Sequence, residues 1–345
     1  MKKVLVGIVA LLMVVVGGAA AFLATKPSLR PASAETVERT PTRIARGEYL
    51  VNNVLLCMDC HSDRSMDRYT FPPSGKSLGG GGSLCWDENM KGMEGFTLCA
   101  PNITPDAETG IGAWTDGEIM RAVREGVNKD GNALFGLMPY TYYASLSEED
   151  IRSVVSYLRT LAPMNNKVQE RVLPTPLNLI VKLMPKPLAG DVAHPDENDS
   201  VALGKYLATV GNCLNCHTPV DEKHRLIPER AFAGGNEFSH KVFGTIFSAN
   251  ITPHETGMGN RTRAQFIALF KAFASPEAHT MKIEPTANTL MPWLSFAKMS
   301  DKDLGAIYDY LKTVPPIENV VQKRPTPTVP VAPTATVPDA GTDAQ

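Results

Sequence analysis

Cys57-Met58-Asp59-Cys60-His61 and Cys213-Leu214-Asn215-Cys216-His217 decide the reading of this sequence. Each block is two cysteines two residues apart, with a histidine directly after. Three chemistries use such a block: half of a tetrahedral zinc site, a redox-active dithiol, or the attachment signature of c-type haem. A closed zinc site needs four ligands, and each block offers two thiols and one imidazole in sequence. A thioredoxin-like dithiol needs an alternating strand–helix pattern, and no window of the chain shows sustained strand alternation. Haem fits the spacing. Two thiols add to the two vinyl groups, and the adjacent imidazole reaches the iron from the proximal side. The expectation is two c-type haems, held by Cys57, Cys60, Cys213 and Cys216, with His61 and His217 as iron ligands.

Outward from these blocks the chain proves to be duplicated. Ala45-Arg46-Gly47-Glu48-Tyr49-Leu50 recurs as Ala202-Leu203-Gly204-Lys205-Tyr206-Leu207, and Asn102-Ile103-Thr104-Pro105 as Asn250-Ile251-Thr252-Pro253. Leu137-Met138-Pro139 recurs as Leu290-Met291-Pro292, and from there 137–163 matches 290–316 without a gap, with ten identities in 27 positions. Chance would not keep four blocks in one order. Met138 and Met291 are therefore the expected sixth ligands, since a thioether opposite a histidine closes the coordination sphere and raises the potential. Methionine is also common core filler, but Met120, Met164 and Met184 have no partner in the other half, whereas Met138 and Met291 do. His194, His224, His240, His254 and His279 have no counterpart either and read as surface residues.

The secondary structure reads as helical. Helices are expected over 42–53, over 115–126 behind a Thr115/Glu118 capping box, and over 147–160 and 300–313 behind serine caps. The last two carry the apolar i, i+3, i+4, i+7 stripe, at Ile151, Val154, Val155 and Leu158 and at Leu304, Ile307, Tyr308 and Leu311. The expected fold class is all-α, in two tandem domains at 43–163 and 199–318, each of which resembles a class I cytochrome c domain. A proline-rich linker, 164–198, includes an apolar stretch at 177–184 that should pack on a domain. A Pro/Thr-rich disordered tail is expected over 319–345.

Lys2 and Lys3 precede an uncharged apolar run over 4–23, followed by a small-x-small site at Ala32-Ser33-Ala34. This is a membrane anchor or a cleaved export signal within 1–34. Both place the rest of the chain on the periplasmic side of the inner membrane or free in the periplasm, where haem attachment takes place. In that compartment Cys85 and Cys99 are expected to form a disulfide. A formal net charge of −2 over 345 residues offers no basic surface for nucleic acid. Aromatic residues number only 24, so large flat haem macrocycles are the expected filler of the two cores.

The run Asn102-Ile103-Thr104-Pro105-Asp106, Thr109-Gly110-Ile111-Gly112, Trp114 and Met138-Pro139-Tyr140 resembles the cytochrome c subunits of membrane-bound alcohol and gluconate dehydrogenases. The resemblance covers about residues 43–318. It implies electron transfer from a periplasmic dehydrogenase towards quinone, another cytochrome or a terminal oxidase. Those subunits carry three haem domains; this sequence holds two motifs. Its second half also departs from the pattern, with His254 for the aspartate, Met258 for the isoleucine and no tryptophan after Gly259. The leading expectation is an electron-transfer protein rather than an enzyme, with redox proteins as partners. The alternative is a dihaem peroxidase or a sulfur-compound dehydrogenase, which would need one iron with a displaceable ligand. The near-symmetrical Met-Pro blocks speak against that asymmetry. A gas sensor is a third class, but no signalling domain follows the second repeat.

Overall fold

The computed structural model describes residues 2–75, 77–82, 85–86, 95–240 and 243–324. Helix α1 (Lys2–Ala24) is followed by α2 (Pro41–Tyr49), which runs through a π turn (Leu50–Val54) into the short α3 (Cys57–Cys60). The first repeat continues with α4 (Asp116–Glu125), α5 (Tyr140–Tyr143) and α6 (Glu148–Leu158). A connector holds α7 (Leu177–Ile180) and a 3-10 turn (Val181–Leu183). The second repeat has α8 (Ser200–Val210), α9 (Cys213–His217), α10 (Arg263–Lys271), α11 (Pro276–Thr280), α12 (Trp293–Phe296) and α13 (Asp301–Leu311).

The helix starts follow from capping chemistry. Side chains of Thr115, Ser147, Thr262 and Ser300 each accept from the backbone N–H three residues on. Thr115/Glu118 and Thr262/Gln265 complete reciprocal capping boxes. Gly126, left-handed at φ 71°, ends α4. The expected stripe of α6 is buried in full, and in α13 Leu304, Ile307 and Leu311 are buried while Tyr308 is half-buried.

Two glycines let the first and last helices of each repeat cross in contact. A Cβ on Gly47 would overlap the Ser153 carbonyl, and one on Gly204 would overlap the Ala306 carbonyl. These are equivalent positions of the two repeats, so α2 crosses α6 as α8 crosses α13.

The repeats share one core. A single cluster of buried side chains runs from Leu50, Val54, Ile151 and Leu158 to Leu207, Val210, Leu304 and Leu311. The seam is locked reciprocally. Tyr49 Oη donates to Asp303 Oδ2 at 2.5 Å and accepts from Ser300 N at 3.0 Å. Its counterpart Tyr206 donates to Asp150 Oδ2 at 2.6 Å and accepts from Ser147 N at 3.2 Å. Burial first, then the neighbouring carboxylate, pushes both phenols well above their ordinary value. Asp150 also takes a two-pronged bond from Arg46, at 2.8 and 2.9 Å, and His194 of the connector sets its ring against Tyr206. A cavity of about 450 Å³ opens at this seam beside Met58 and Asp59 and under Leu294, Ser295 and Lys298.

The all-α expectation needs one correction. Among the described residues there are two short antiparallel hairpins, β1 (Cys85–Trp86) with β2 (Leu98–Cys99) and β3 (Glu237–His240) with β4 (Gly244–Phe247). Strands of two to four residues are too short to write an alternating pattern into the sequence. Cys85 and Cys99 are directly opposite in the first hairpin and form the expected disulfide.

The start of the expected tail is also held. Asn319 Nδ2 donates to the Ala233 carbonyl at 2.8 Å, and Phe247 N donates to the Lys323 carbonyl at 2.9 Å. The rest of that segment, 325–345, lies outside the described residues. In the connector Val181 and Pro185 are buried, whereas Leu179, Ile180, Leu183 and Met184 are exposed, so 177–184 packs on only one side. Helix α1 has no buried residue and a mean hydropathy of 2.7. Its 23 residues span about 34 Å at 1.5 Å each, long and apolar enough to cross a membrane.

Gly47→Ala and Gly204→Ala are each expected to cost about 3 kcal/mol, because backbone must move to admit the methyl group. The readout is a lower urea midpoint at unchanged slope. Gly190→Ala in the connector, where nothing lies within 4 Å, is the control and should lose nothing measurable. Equal effects at all three sites would show that the crossings are not this tight.

Candidate functional site

Each Cys-x-x-Cys block is one helical turn entered through a left-handed residue, Leu56 at φ 58° and Asn212 at φ 61°. Asparagine tolerates this conformation; leucine does so at a cost of about 1–2 kcal/mol. The turn brings both cysteines and the histidine to one end of the repeat. The four cysteines are not joined to one another. Burial pushes the Cys57 and Cys213 thiols up to about 12 and the Cys216 thiol up to about 11. Among the described residues no group of three or more His, Cys, Asp or Glu converges to hold a metal ion.

The histidines are oriented identically. His61 Nδ1 lies 2.7 Å from the Pro101 carbonyl, and His217 Nδ1 lies 2.7 Å from the Ala249 carbonyl. A carbonyl only accepts, so Nδ1 carries the proton and Nε2 keeps its lone pair. Burial lowers both imidazoles below their usual value, which keeps them neutral. An imidazole with a carbonyl behind its Nδ1, buried at His61 and half-buried at His217, is the arrangement of a metal-ligating histidine.

The Asn-Ile-Thr-Pro blocks build that support. Each follows the accepting carbonyl directly. Asn102 Oδ1 accepts from Thr104 N and Oγ1 at 2.9 and 2.7 Å, and Asn250 Oδ1 from Thr252 N and Oγ1 at 2.9 and 2.8 Å. The asparagine amides reach across to the chain leaving the last helix, at the Met164 and Ile317 carbonyls, 2.6 and 2.9 Å away.

Two further pairs belong to this frame, and the motif reading missed them. Gly81 N donates to the His61 carbonyl at 3.0 Å and Gly234 N to the His217 carbonyl at 2.7 Å. Both glycines have positive φ, 85° and 71°, where a side chain would strike the following asparagine's backbone. The run 79–82 is thus laid against 100–103, with Ile103 N bonded to the Gly79 carbonyl. Asn166 and Asn319 are the second pair. Their amides N–H donate to Thr109 Oγ1 and Thr256 Oγ1 at 2.9 and 3.0 Å. Both pairs sit at the same 153-residue offset as the gapless block, which is the signal that could have found them.

Met138 and Met291 are partly buried against the same cluster as Cys57 and Cys213. Each begins a tight turn in which its carbonyl accepts from the amide two residues on, of Tyr140 or Trp293, at 2.8 Å. Tyr143, beyond the first of these turns, ties it to the motif by donating to the Leu55 carbonyl at 2.5 Å. The two motifs adjoin across the seam, where Gly211 faces the Val54 carbonyl and Cys60 is near enough to help raise the Cys216 thiol. Of the histidines expected at the surface, His194, His254 and His279 are half-buried, and His254 works in a turn, where its Nδ1 lies 2.9 Å from Thr256 Oγ1.

A repeated Cys-x-x-Cys-His turn, a carbonyl-backed imidazole and a Met-Pro turn define a cytochrome c, and the chain belongs to that family. It is 30% identical over 227 residues to a "diheme cytochrome c-type" protein of Cereibacter sphaeroides, covering 64% of this chain and 73% of that one. It is 32% identical over 288 residues to the gluconate 2-dehydrogenase cytochrome c subunit of Pantoea cypripedii, covering 79% and 59%. The fructose dehydrogenase cytochrome subunit of Gluconobacter japonicus is 28% identical over 300 residues, covering 82% and 56%. The chain thus spans about half the length of several curated relatives it matches. No protein-family model matches it.

Asn102→Ala and Asn250→Ala should each cost about 1–3 kcal/mol, since each removes the main acceptor of a buried threonine's amide and hydroxyl. Loss of the clasp should also loosen the neighbouring histidine. Faster hydrogen exchange at 101–104 in the first variant, and at 249–252 in the second, checks the local origin. Exchange spread evenly over the chain would contradict it.

Proposed function

We propose that the chain is an electron carrier with two covalently bound c-type haems, one in each of two tandem cytochrome c domains at 43–163 and 199–318. Cys57 and Cys60 would attach the first group and Cys213 and Cys216 the second. His61 and Met138 would ligate the first iron, His217 and Met291 the second. The observation that carries this reading is the pair of carbonyl-backed imidazoles directly after unjoined cysteine pairs. Bound haem supplies one-electron chemistry, its iron alternating between ferric and ferrous.

The chain's own residues do the rest. The Pro101 and Ala249 carbonyls fix which imidazole nitrogen faces the metal. Two amino-acid ligands per iron leave no position for a substrate, which suits relay rather than bond-making. The Met-Pro turns would present the thioethers of Met138 and Met291 to the irons, which favours the reduced state. The adjoining motifs support a short path from one group to the other. A shared core supports a fixed one.

The donor would be a periplasmic dehydrogenase, the kind of enzyme whose cytochrome subunits are relatives of this chain. The acceptor would be another cytochrome or a terminal oxidase. Helix α1 would anchor the carrier on the periplasmic side of the inner membrane.

Met138→Ala and Met291→Ala test the ligation. Each is expected to remove about half of the weak long-wavelength band of oxidised Met-ligated haem, and to lower the midpoint potential of one haem but not the other. A variant that left the band intact would remove that methionine from the ligand set. Cys57→Ala/Cys60→Ala should lower the intact mass by one covalently held haem. Loss of none would overturn the attachment.

A further inference from the structure

The connector turns an apolar face to solvent. Leu179, Ile180, Leu183 and Met184 are 37%, 48%, 45% and 37% exposed. Ile180 and Leu183, three residues apart through the 3-10 turn, stand one above the other, with Leu179 just before them. Val181, on the other side, is 2% exposed and packs inward. Scattered apolar side chains at a surface are ordinary; a contiguous stripe marks something that covers it.

The foot of α1 stands beside this stripe. Lys26 and Pro27, just past the end of the helix, line a cleft of about 120 Å³ together with Asn178, Val181 and Lys182 of the connector. The chain that follows has no slack. Leu29 packs over Gly131, Arg30 pairs with Glu125 at 2.6 Å, and the Ser33 backbone lies tight on Gly117. Glu35 pairs with Arg152 at 2.7 Å, and Val37 is buried with its amide on Asp116. A bilayer crossed by α1 therefore has its surface at the level of the connector. Cations line the same cleft: Lys26, Lys182 and Arg171.

We propose that 177–184 is a second membrane contact. Leu179, Ile180 and Leu183 enter the boundary between headgroups and acyl chains, and the lysines meet lipid phosphates. The occupant of this face is the lipid surface itself. The inference rests on the reading that α1 stays in the bilayer. One spanning helix lets a domain swivel; a second contact fixes which side faces the membrane. Met184 reaches Gly136, two residues before Met138, so the side held to the bilayer is that of the first methionine turn.

The test uses the full chain, haem-loaded, in phosphatidylcholine/phosphatidylglycerol vesicles containing a phospholipid with a photoactivatable diazirine on its acyl chain. After illumination, lipid adducts are mapped by peptide mass spectrometry. Adducts are expected in 177–184 as well as in 2–24. In Leu179→Glu/Ile180→Glu/Leu183→Glu the connector adducts should fall by about tenfold or more, with anchor adducts and haem absorbance unchanged. The unsubstituted chain decides the matter even if that variant folds poorly. Adducts confined to 2–24 overturn the inference, leave the anchor standing, and leave the stripe to a protein partner. Adducts in neither segment overturn the anchor reading and this one with it.

Discussion

The distance between the first and last helix of each repeat is set by a missing side chain. At Gly47 and at Gly204 the partner helix's backbone occupies the place a Cβ would take. Everything near the site follows from that contact. With α2 pressed on α6, the π turn delivers α3 to one end of the pair, and the chain leaving α6 passes within reach of Asn102 and Thr109. The same holds for α8, α9, α13, Asn250 and Thr256. The clasp then fixes the carbonyl that orients the histidine. A packing constraint between two helices thus becomes an electronic one at an imidazole.

The second constraint joins the repeats to each other. Tyr49 and Tyr206 stand at equivalent positions, and each reaches the capped start of the other repeat's last helix. The caps are engaged twice, by their own serine and by a foreign tyrosine. A duplication that joined beads on a string would leave these tyrosines in water. Here they are desolvated and the apolar cluster runs through the seam. Separating the repeats would expose that cluster and strand hydrogen bonds to two carboxylates. Bonds of that kind contribute about 1.5–3 kcal/mol each. The spacing of the two motifs is therefore a property of the fold rather than of a hinge.

What the sequence reveals depends on whether a residue's role lies in its side chain. The Cys-x-x-Cys-His and Met-Pro blocks, the capping boxes and the apolar stripes are all side-chain patterns, and such patterns are legible. The disulfide was legible from compartment and count. The accepting carbonyls of Pro101 and Ala249 have no side-chain signature, and proline and alanine at equivalent positions do not even resemble each other. Gly81 is hidden in a run of four glycines. Asn166 and Asn319 lie just past the gapless match, among residues that read as linker and tail. The tyrosine seam was visible as a repeated Tyr, yet nothing in one chain says that a repeated residue reaches across rather than inward. The hairpins were too short to announce themselves.

The departures of the second repeat are explained by the same logic. Asp106 Oδ1 accepts from Glu108 N, Thr109 N and Thr109 Oγ1. His254 Nδ1 accepts from Thr256 N at 3.2 Å, beside the Thr256 hydroxyl, so a ring nitrogen replaces a carboxylate oxygen in the same turn. Ile111 and Met258 are both buried, and their amides donate to the equivalent Thr104 and Thr252 carbonyls. Trp114 and Arg261 also occupy matching places, each with its amide on the carbonyl three residues back. The frame is thus preserved while the rim changes, from an acid and a half-buried indole to an imidazole and an exposed guanidinium. Duplication has thus kept the backbone frame of the repeat and varied the side chains at its rim.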